Sequence, residues 1–310
     1  MRAAVSILMP NRNAFPFLQE AINGIINQRF TNWHLHIIDD ASSDESIQYL
    51  TSVHHPSIQI TFLKEQVGPE TIINTYLPTI ETEYFAITDA DDVWHPDKLM
   101  LQIKYLEENL DHLFCGTAYY TINENGFITK RQTLLSDWQT IKQNAKHHAQ
   151  FLAGTIVYRK KAAALAQPFF QTNKLEGYGD MLLIYTLLQS YPCSNLPQPL
   201  YAYRILASSR SRQNLTPKKL SIYSLIVNNQ FSNFKEDASK TKDQFHFQSA
   251  FYHLYWCLPG LAYSSAKQGL KTRFSILNFF RFLYILFNIR LLKTKQSFNK
   301  THYSTLFVHS

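Results

Sequence analysis

Two rhythms of apolar residues alternate along the first 110 positions. Val5–Met9 is a short β-rich run closed by Pro10, and Asn11–Asn13 supply turn chemistry. Phe17, Leu18, Ala21, Ile22, Ile25 and Ile26 then recur at helical spacing. Leu35–Ile38 predicts a second strand ending in Asp39-Asp40, after which Ser42 or Ser43 is placed to cap a helix bearing Ile47 and Leu50. Ile58–Leu63 alternates as a third strand, Gly68-Pro69 breaks it, and Thr71–Leu77 predicts a short helix. Tyr84–Ile87 predicts a buried fourth strand, followed from about Pro96 by a helix with Leu99, Ile103, Leu106 and Leu110. Strand and helix in this order predict an α/β protein with a parallel sheet and helices on both faces. A constant crossover hand then puts all four strand ends on one side, so Asp39 and Asp91 share a crevice despite the 52 positions between them.

Beyond Leu110 the pattern changes. Phe114–Tyr120 and Phe127–Lys130 predict strands joined by a hairpin at Asn125-Gly126. Lys142–Gln150 is polar and predicts a loop. Phe151–Tyr158 reads as a strand in which Gly154 marks a close backbone approach. Glu176-Gly177-Tyr178-Gly179 reads as a flexible stretch, and Asp180 immediately precedes a helix with Leu182, Leu183, Leu187 and Leu188. Pro197–Arg204 predicts an edge strand, and Ser208–Arg212 a polar, basic segment. From about Thr216 the signals are helical only. Ile276–Leu292 is strongly apolar but interrupted by Asn278, Arg281, Asn288 and Arg290, so a membrane-spanning helix is not expected.

Composition narrows the class. A chain of 310 residues, 45% of them hydrophobic, has ample material for a large core. The net charge of +7 favours anionic partners such as nucleotide diphosphates, nucleic acid or an acidic membrane face. Cys115, Cys193 and Cys257 are too few and too scattered for a disulfide framework or a zinc site, which points to a reducing compartment. Ala3–Met9 is too short for the apolar core of a secretory signal, so none is expected.

The chemistry concentrates at Asp89-Ala90-Asp91-Asp92, three carboxylates within four positions at the end of a predicted buried strand. Like charges this close repel one another unless a cation sits among them. Hard carboxylate oxygens on a rigid edge suit Mg2+ or Mn2+ shared with substrate phosphates. A helix cap would account for one of the three acids, not for all of them. The glycine-rich phosphate cradles G-x-x-x-x-G-K-[ST] and G-x-G-x-x-G are not present, and neither are H-E-x-x-H and G-x-S-x-G. His54-His55 and His147-His148 lack the spacing and carboxylate partners of a zinc site.

Three ordered blocks carry a resemblance. Val5-Ser6-Ile7-Leu8-Met9-Pro10-Asn11-Arg12-Asn13, Ile37-Ile38-Asp39-Asp40-Ala41-Ser42-Ser43-Asp44 and Thr88-Asp89-Ala90-Asp91-Asp92-Val93-Trp94-His95-Pro96-Asp97-Lys98-Leu99 resemble the family 2 glycosyltransferases of the GT-A fold. The resemblance implies that Asp39 binds the nucleotide base. It makes Asp89 and Asp91 the D-x-D pair, contacting ribose and the metal that grips the diphosphate. Pro10 and Asn13 line the same pocket, and Asp91 is the metal ligand, with Mn2+ or Mg2+ as cofactor. Read without the family, Asp39 is a turn carboxylate bonded to the Ser42 or Ser43 backbone. The family offers a Glu-Asp pair at a helix start, with the Asp as catalytic base. Here Gly179-Asp180 keeps the Asp and lacks the Glu, and an N-cap role for Asp180 stands beside the base. Arg204, Arg210 and Arg212 resemble the family's closing basic segment and would clamp the diphosphate, with a solvated basic loop as the alternative.

The expected organisation is a GT-A-like, mostly parallel mixed sheet over residues 1–213 and a helical extension over 214–310. Residues 1–110 would bind nucleotide and 111–213 acceptor. Arg273, Arg281 and Arg290 dot the aromatic Ser275–Leu292 stretch, which suits either an anionic membrane surface or packing on the domain. The expected activity is inverting transfer from a nucleotide-diphospho-sugar donor to a glycan or lipid-linked acceptor, without nucleic acid as partner, in the cytoplasm or peripherally on its membrane face. A sugar-phosphate nucleotidyltransferase and a non-catalytic glycan-binding or scaffolding relative are the rival readings.

Overall fold

The structure is a computed structural model, described here for residues 4–145, 149–165, 179–206, 266–267, 270, 282–286 and 301–307. The chain divides into two compact units, residues 1–206 with 301–310, and residues 207–300. The expected boundary near 213 put Thr301–Phe307 with the helical extension; their contacts put them with the first unit. No helix among the described residues is long and apolar enough to cross a membrane.

The first unit is built on one mixed sheet of β1 (Val5–Asn11), β2 (Trp33–Asp39), β3 (Ile58–Phe62), β4 (Tyr84–Ile87), β5 (Val93–Trp94), β6 (Phe114–Ile122), β7 (Ile128–Gln132), β8 (Val157–Arg159) and β9 (Cys193–Arg204). Strand order is β3-β2-β1-β4-β8-β6-β9-β5, with β7 paired to β6. The first four strands are mutually parallel, as the alternation predicted. Their crossovers carry α1 (Phe17–Ile26), α2 (Ser46–Ser52) and α3 (Pro69–Tyr76). In α1 the stripe Leu18, Ala21, Ile22 and Ile25 is buried, so burial of one face, rather than capping, stabilises the helix. Successive strands step one way from β1 to β3, and the chain then crosses back to set β4 on the other side of β1. That reversal creates a crevice beyond the carboxyl ends of β1 and β4.

The second half of the sheet is mixed, and here the patterns misled. Phe151–Tyr158 is not one strand: Ala153–Thr155 forms a 3-10 turn and only β8 is extended. Gly154 does allow a close approach, by the side chain of Tyr201. The predicted edge strand Pro197–Arg204 belongs to β9, which is interior, pairing with β6 on one side and β5 on the other. Pro197 is tolerated because the ladder skips register between Thr117 and Ala118, next to it. The polar stretch from Lys142 is helical through Asn144, the end of α5 (Trp138–Asn144), and Gln150 is buried. Leu110 lies beyond α4 (Lys98–Glu108) and is 79% exposed. Strand β6 ends in the expected hairpin, with Gly126 at φ 76°. After α6 (Lys161–Leu165), helix α7 (Gly179–Ser190) buries Leu183, Leu187 and Leu188.

Candidate active site

The ends of β1 and β2 meet in register, Asn11 level with Asp39. Asp39 is buried and its carboxylate is fixed by three donors. Asn11 Nδ2 and Ser42 Oγ both donate to Oδ2 at 2.6 Å, and the Ser42 amide donates to Oδ1 at 2.9 Å. Asp39 is thus the turn carboxylate that the residues alone suggested. Its Oδ1 keeps a further lone pair for an N–H from a ligand. The turn after β1 is stitched to the same loop: the Asn13 amide donates to Ser42 Oγ at 3.0 Å, and Asn13 Oδ1 accepts from the Ser43 amide at 2.7 Å. Asn13 and Ala41 both have positive φ, which brings these backbones together. The neighbouring Asp40 accepts from the Val67 and Gly68 amides at 2.7 and 2.9 Å, anchoring the loop that enters α3. Neither Ser42 nor Ser43 caps α2: its N-cap position is Glu45, and Asp44 accepts from the Ser46 amide instead. Pro10 lies beyond the last pair of β1 with β4, Leu8 with Ile87, so its missing N–H costs no ladder bond on that side.

On the other side of β1, β4 runs into Thr88 and the acidic segment, with the Thr88 amide donating to the Leu8 carbonyl at 3.0 Å. The three acids have unequal surroundings. Asp89 is exposed, Asp91 half-buried and Asp92 buried. Burial first, then the charge of Asp89, pushes the Asp91 carboxyl up to about 7. Burial and the two neighbouring acids also push Asp92 well above the usual carboxylate range. Asp92 is committed to the fold. Tyr201 Oη donates to its Oδ2 at 2.6 Å, and the Arg204 amide donates to its Oδ1 at 2.7 Å. None of the three caps the next helix, which begins at Lys98 after Asp97. The candidates for ligand chemistry are then Asp89 and Asp91, the two less buried acids.

Arg204 departs from expectation. Its guanidinium is buried and donates from Nε to the Asp91 carbonyl at 2.8 Å. From Nη1 it donates to the carbonyls of Asn123 at 3.4 Å and Glu124 at 3.1 Å, and from Nη2 to Glu20. The ring of Phe17 covers its face, 4.5 Å from the guanidinium carbon. A group so engaged is a clasp beneath the acidic loop rather than a diphosphate ligand. The internal acceptors satisfy it where a phosphate was expected. Arg210 and Arg212 lie outside the described residues.

Asp180 sits in the first turn of α7 and is partly exposed; after burial, its charge is the second cause raising the Tyr158 phenol. His55 stacks on Trp33 at 5.3 Å, while His147 and His148 lie outside the described residues. Among the described residues no three acidic, cysteine or histidine side chains converge as a metal cage. Sequence reasoning gave no role to the Asn11, Tyr201 and Glu20 side chains, and it grouped Asp92 with the metal-binding carboxylates rather than with the fold. Only the Asp39-Asp40 doublet and the Asn11 turn hinted at the first of them, since an amide beside a carboxylate at one strand edge is a natural donor for it.

A parallel αβ half-sheet with a switch point, acids at the ends of two strands flanking the central one, and an appended mixed half, in which β6 runs parallel to β9 and antiparallel to β7 and β8, define a GT-A-type α/β protein. The chain belongs to the family described as glycosyl transferase family 2, whose profile matches residues 6–165, more than half of its length. Among its relatives, a putative teichuronic acid biosynthesis glycosyltransferase, TuaG of Bacillus subtilis, is 22% identical over 86% of this chain and 97% of its own. The Escherichia coli enzyme named UDP-Glc:alpha-D-GlcNAc-diphosphoundecaprenol beta-1,3-glucosyltransferase WfgD is 30% identical over 41% of this chain and 49% of its own. An uncharacterized glycosyltransferase of Rickettsia felis is 35% identical over 39% of this chain, a match that spans only 20% of the longer Rickettsia protein. In fold, the chain is similar to S. aureus TarS 1-349 in complex with UDP-GlcNAc, at TM-score 0.64 and 16% identity over 94% of this chain and 81% of that one. It is also similar to the Pyrobaculum calidifontis mannosyltransferase PcManGT in complex with GDP-Man and Mn2+, at TM-score 0.55 and 16% identity over 96% and 85%.

Proposed function

We propose that this chain is an inverting glycosyltransferase that moves a sugar from a nucleotide-diphosphate donor to a hydroxyl of a glycan or lipid-linked acceptor, in cell-surface polysaccharide or lipopolysaccharide synthesis. The observation that carries the reading is the flanking of β1 by Asp39 at the end of β2 and by Asp89 and Asp91 after β4. Asp39, held rigid by Asn11 and Ser42, offers an acceptor to a base N–H; Pro10 and Asn13 border that position. The names of TuaG and WfgD, and the donor bound in TarS, give the proposal its substrate class.

The acidic pair fits a divalent cation. Asp91 is held near neutrality in its titration by burial and by Asp89, an electrostatic penalty that a cation would relieve. Two carboxylates short of a full cage suit Mg2+ or Mn2+ completed by substrate phosphates. When bound, such an ion neutralises charge on the departing diphosphate. The acceptor oxygen forms its bond to the anomeric carbon as the bond to the diphosphate breaks on the opposite face, and Asp180 takes the hydroxyl proton. A location on the cytoplasmic membrane face suits this reading, because the net charge of +7 favours anionic surfaces; the aromatic, arginine-dotted 273–295 stretch invoked for that contact lies mostly outside the described residues.

The test is a donor screen. Release of UDP, GDP or dTDP from the matching nucleotide-sugars is measured with Mn2+, with and without added glycan or lipid-linked acceptors. Release from one donor class that depends on Asp91 supports the proposal. Failure to cleave any donor under all these conditions overturns it.

A further inference from the structure

The far end of the chain reaches the acidic loop. Thr301–Phe307 packs against the β6–β7 hairpin. Phe127 and His302 form an antiparallel bridge, the Ile128 amide donates to the Thr301 carbonyl at 2.9 Å, and the Tyr303 amide donates to the Gly126 carbonyl at 3.0 Å. Gly126 is shaped for this contact. A Cβ there would lie 2.2 Å from His302 Nε2, so the hairpin leaves room for the imidazole as well as supplying the positive φ. Tyr303 and Phe307 complete an apolar cluster with Val93, Ile122, Ile128 and Ala202, which ties the segment to β5, β6, β7 and β9. Phe307 also meets the ring of His95 edge-on at 5.0 Å.

From that seat the Tyr303 hydroxyl donates to Glu20 Oε2 at 2.7 Å. The same oxygen accepts from Arg204 Nη2, and Arg204 Nε donates to the Asp91 carbonyl. The Glu20 side chain is 42% exposed on α1, so without a second donor it is free to change rotamer away from Arg204. Three side chains, drawn from positions 20, 204 and 303, thus form one relay that ends on the backbone of Asp91.

We infer that Tyr303 is a positioning residue for the acidic loop: through Glu20 and Arg204 it fixes the Asp91 backbone, so that the carboxylate is presented to the metal-bound diphosphate of the donor. The inference rests on the proposed role of Asp91. It assigns the C-terminal segment to the donor site rather than to an appendage. Tyr303 touches neither donor nor ion and acts only through its partners.

The experiment uses the full-length protein and measures affinity for UDP, GDP and dTDP by calorimetry, each with and without Mn2+, keeping the nucleotide that binds most tightly. Asp91→Asn comes first: if it leaves Mn2+-dependent binding unchanged, the role proposed for Asp91 fails and takes the inference with it. With that role standing, Tyr303→Phe removes one oxygen and keeps the ring in its cluster. It is expected to weaken Mn2+-dependent nucleotide binding about three- to tenfold, the scale of one hydrogen bond to a charged group, while binding of the unphosphorylated nucleoside is unchanged. Glu20→Gln combined with Tyr303→Phe is expected to weaken binding less than the product of the two single effects, since both cut one relay. Unchanged Mn2+-dependent binding in Tyr303→Phe, equal weakening toward the nucleoside, or independent single effects would each overturn the inference.

Discussion

Tyr201 donates its phenolic hydrogen to Asp92 Oδ2 at 2.6 Å, tying the loop after β4 to β9 across 109 positions of chain. The bond commits Asp92, one of the three acids, to the fold. It also explains Gly154, where a Cβ would stand 2.1 Å from the Tyr201 oxygen.

Gly154→Ala therefore has to displace a buried tyrosine whose hydroxyl is engaged. Loss of about 1–3 kcal/mol of stability is expected, as for overpacking of a tight core. Urea unfolding of the variant beside wild type measures it; an unchanged midpoint would mean that the contact is slack.

Asp91→Ala is expected to abolish transfer, and wild-type activity in that variant would remove Asp91 from the site. The titration near 7 adds a pH signature. A cation needs the ionised carboxylate, so Mn2+-dependent nucleotide binding should weaken about tenfold per unit as pH falls below about 7. Without ligand the sign is the reverse for folding. The folded pKa is raised above the unfolded 3.8, so the native state holds the proton more tightly and this carboxyl makes stability fall as pH rises from about 4 to about 7. Thermal unfolding of Asp91→Asn across that range should show a shallower fall than wild type.

Asp180→Asn is expected to leave donor binding intact and to lower turnover by about 10^2 to 10^4, the usual contribution of a general base. Parallel calorimetry and product assays separate the two quantities. Full turnover by this variant would eliminate Asp180 as the base.

Lys98 is fully buried, its Nζ has no hydrogen-bond partner among the described residues, and it rests 3.9 Å from the centre of the Trp94 ring. Burial pushes its amine down to about 7 from 10.5. Between those values the unfolded chain binds the extra proton, so this residue makes stability rise with pH from about 7 to about 10. Lys98→Met should stabilise the protein at neutral pH by roughly 1–4 kcal/mol, because an unpaired buried charge is replaced by an apolar chain of similar size. Melting curves at pH 7 and 9.5 test both statements: the gain should shrink at the higher pH.

Much of the first half of the fold was legible because its signals are local. The alternation in Ile58–Leu63, the stripe on α1 and the break at Gly68 each depend on residues a few positions apart, and helix and strand periods follow from them; Pro10, expected to close the first strand, lies within β1, which runs on to Asn11. The parallel order then needed only the handedness of crossovers. The second half carried no such rule. Whether Pro197–Arg204 lay at an edge depended on β5, a two-residue strand with almost no pattern of its own.

What the sequence determined by itself is the inventory: four βα units, the acids that end β2 and follow β4, and the family to which the blocks at 5–13, 37–44 and 88–99 belong. Tertiary structure alone decided the division of labour. Asp92 became structural because Tyr201 and the Arg204 amide reach it, Arg204 turned inward because Glu20 and three carbonyls meet its guanidinium, and Tyr303 came back to α1 from 283 positions away. The physical reason is that a buried polar group takes its role from the partner that satisfies it, and that partner is chosen by strand register and packing, which no short stretch of chain encodes.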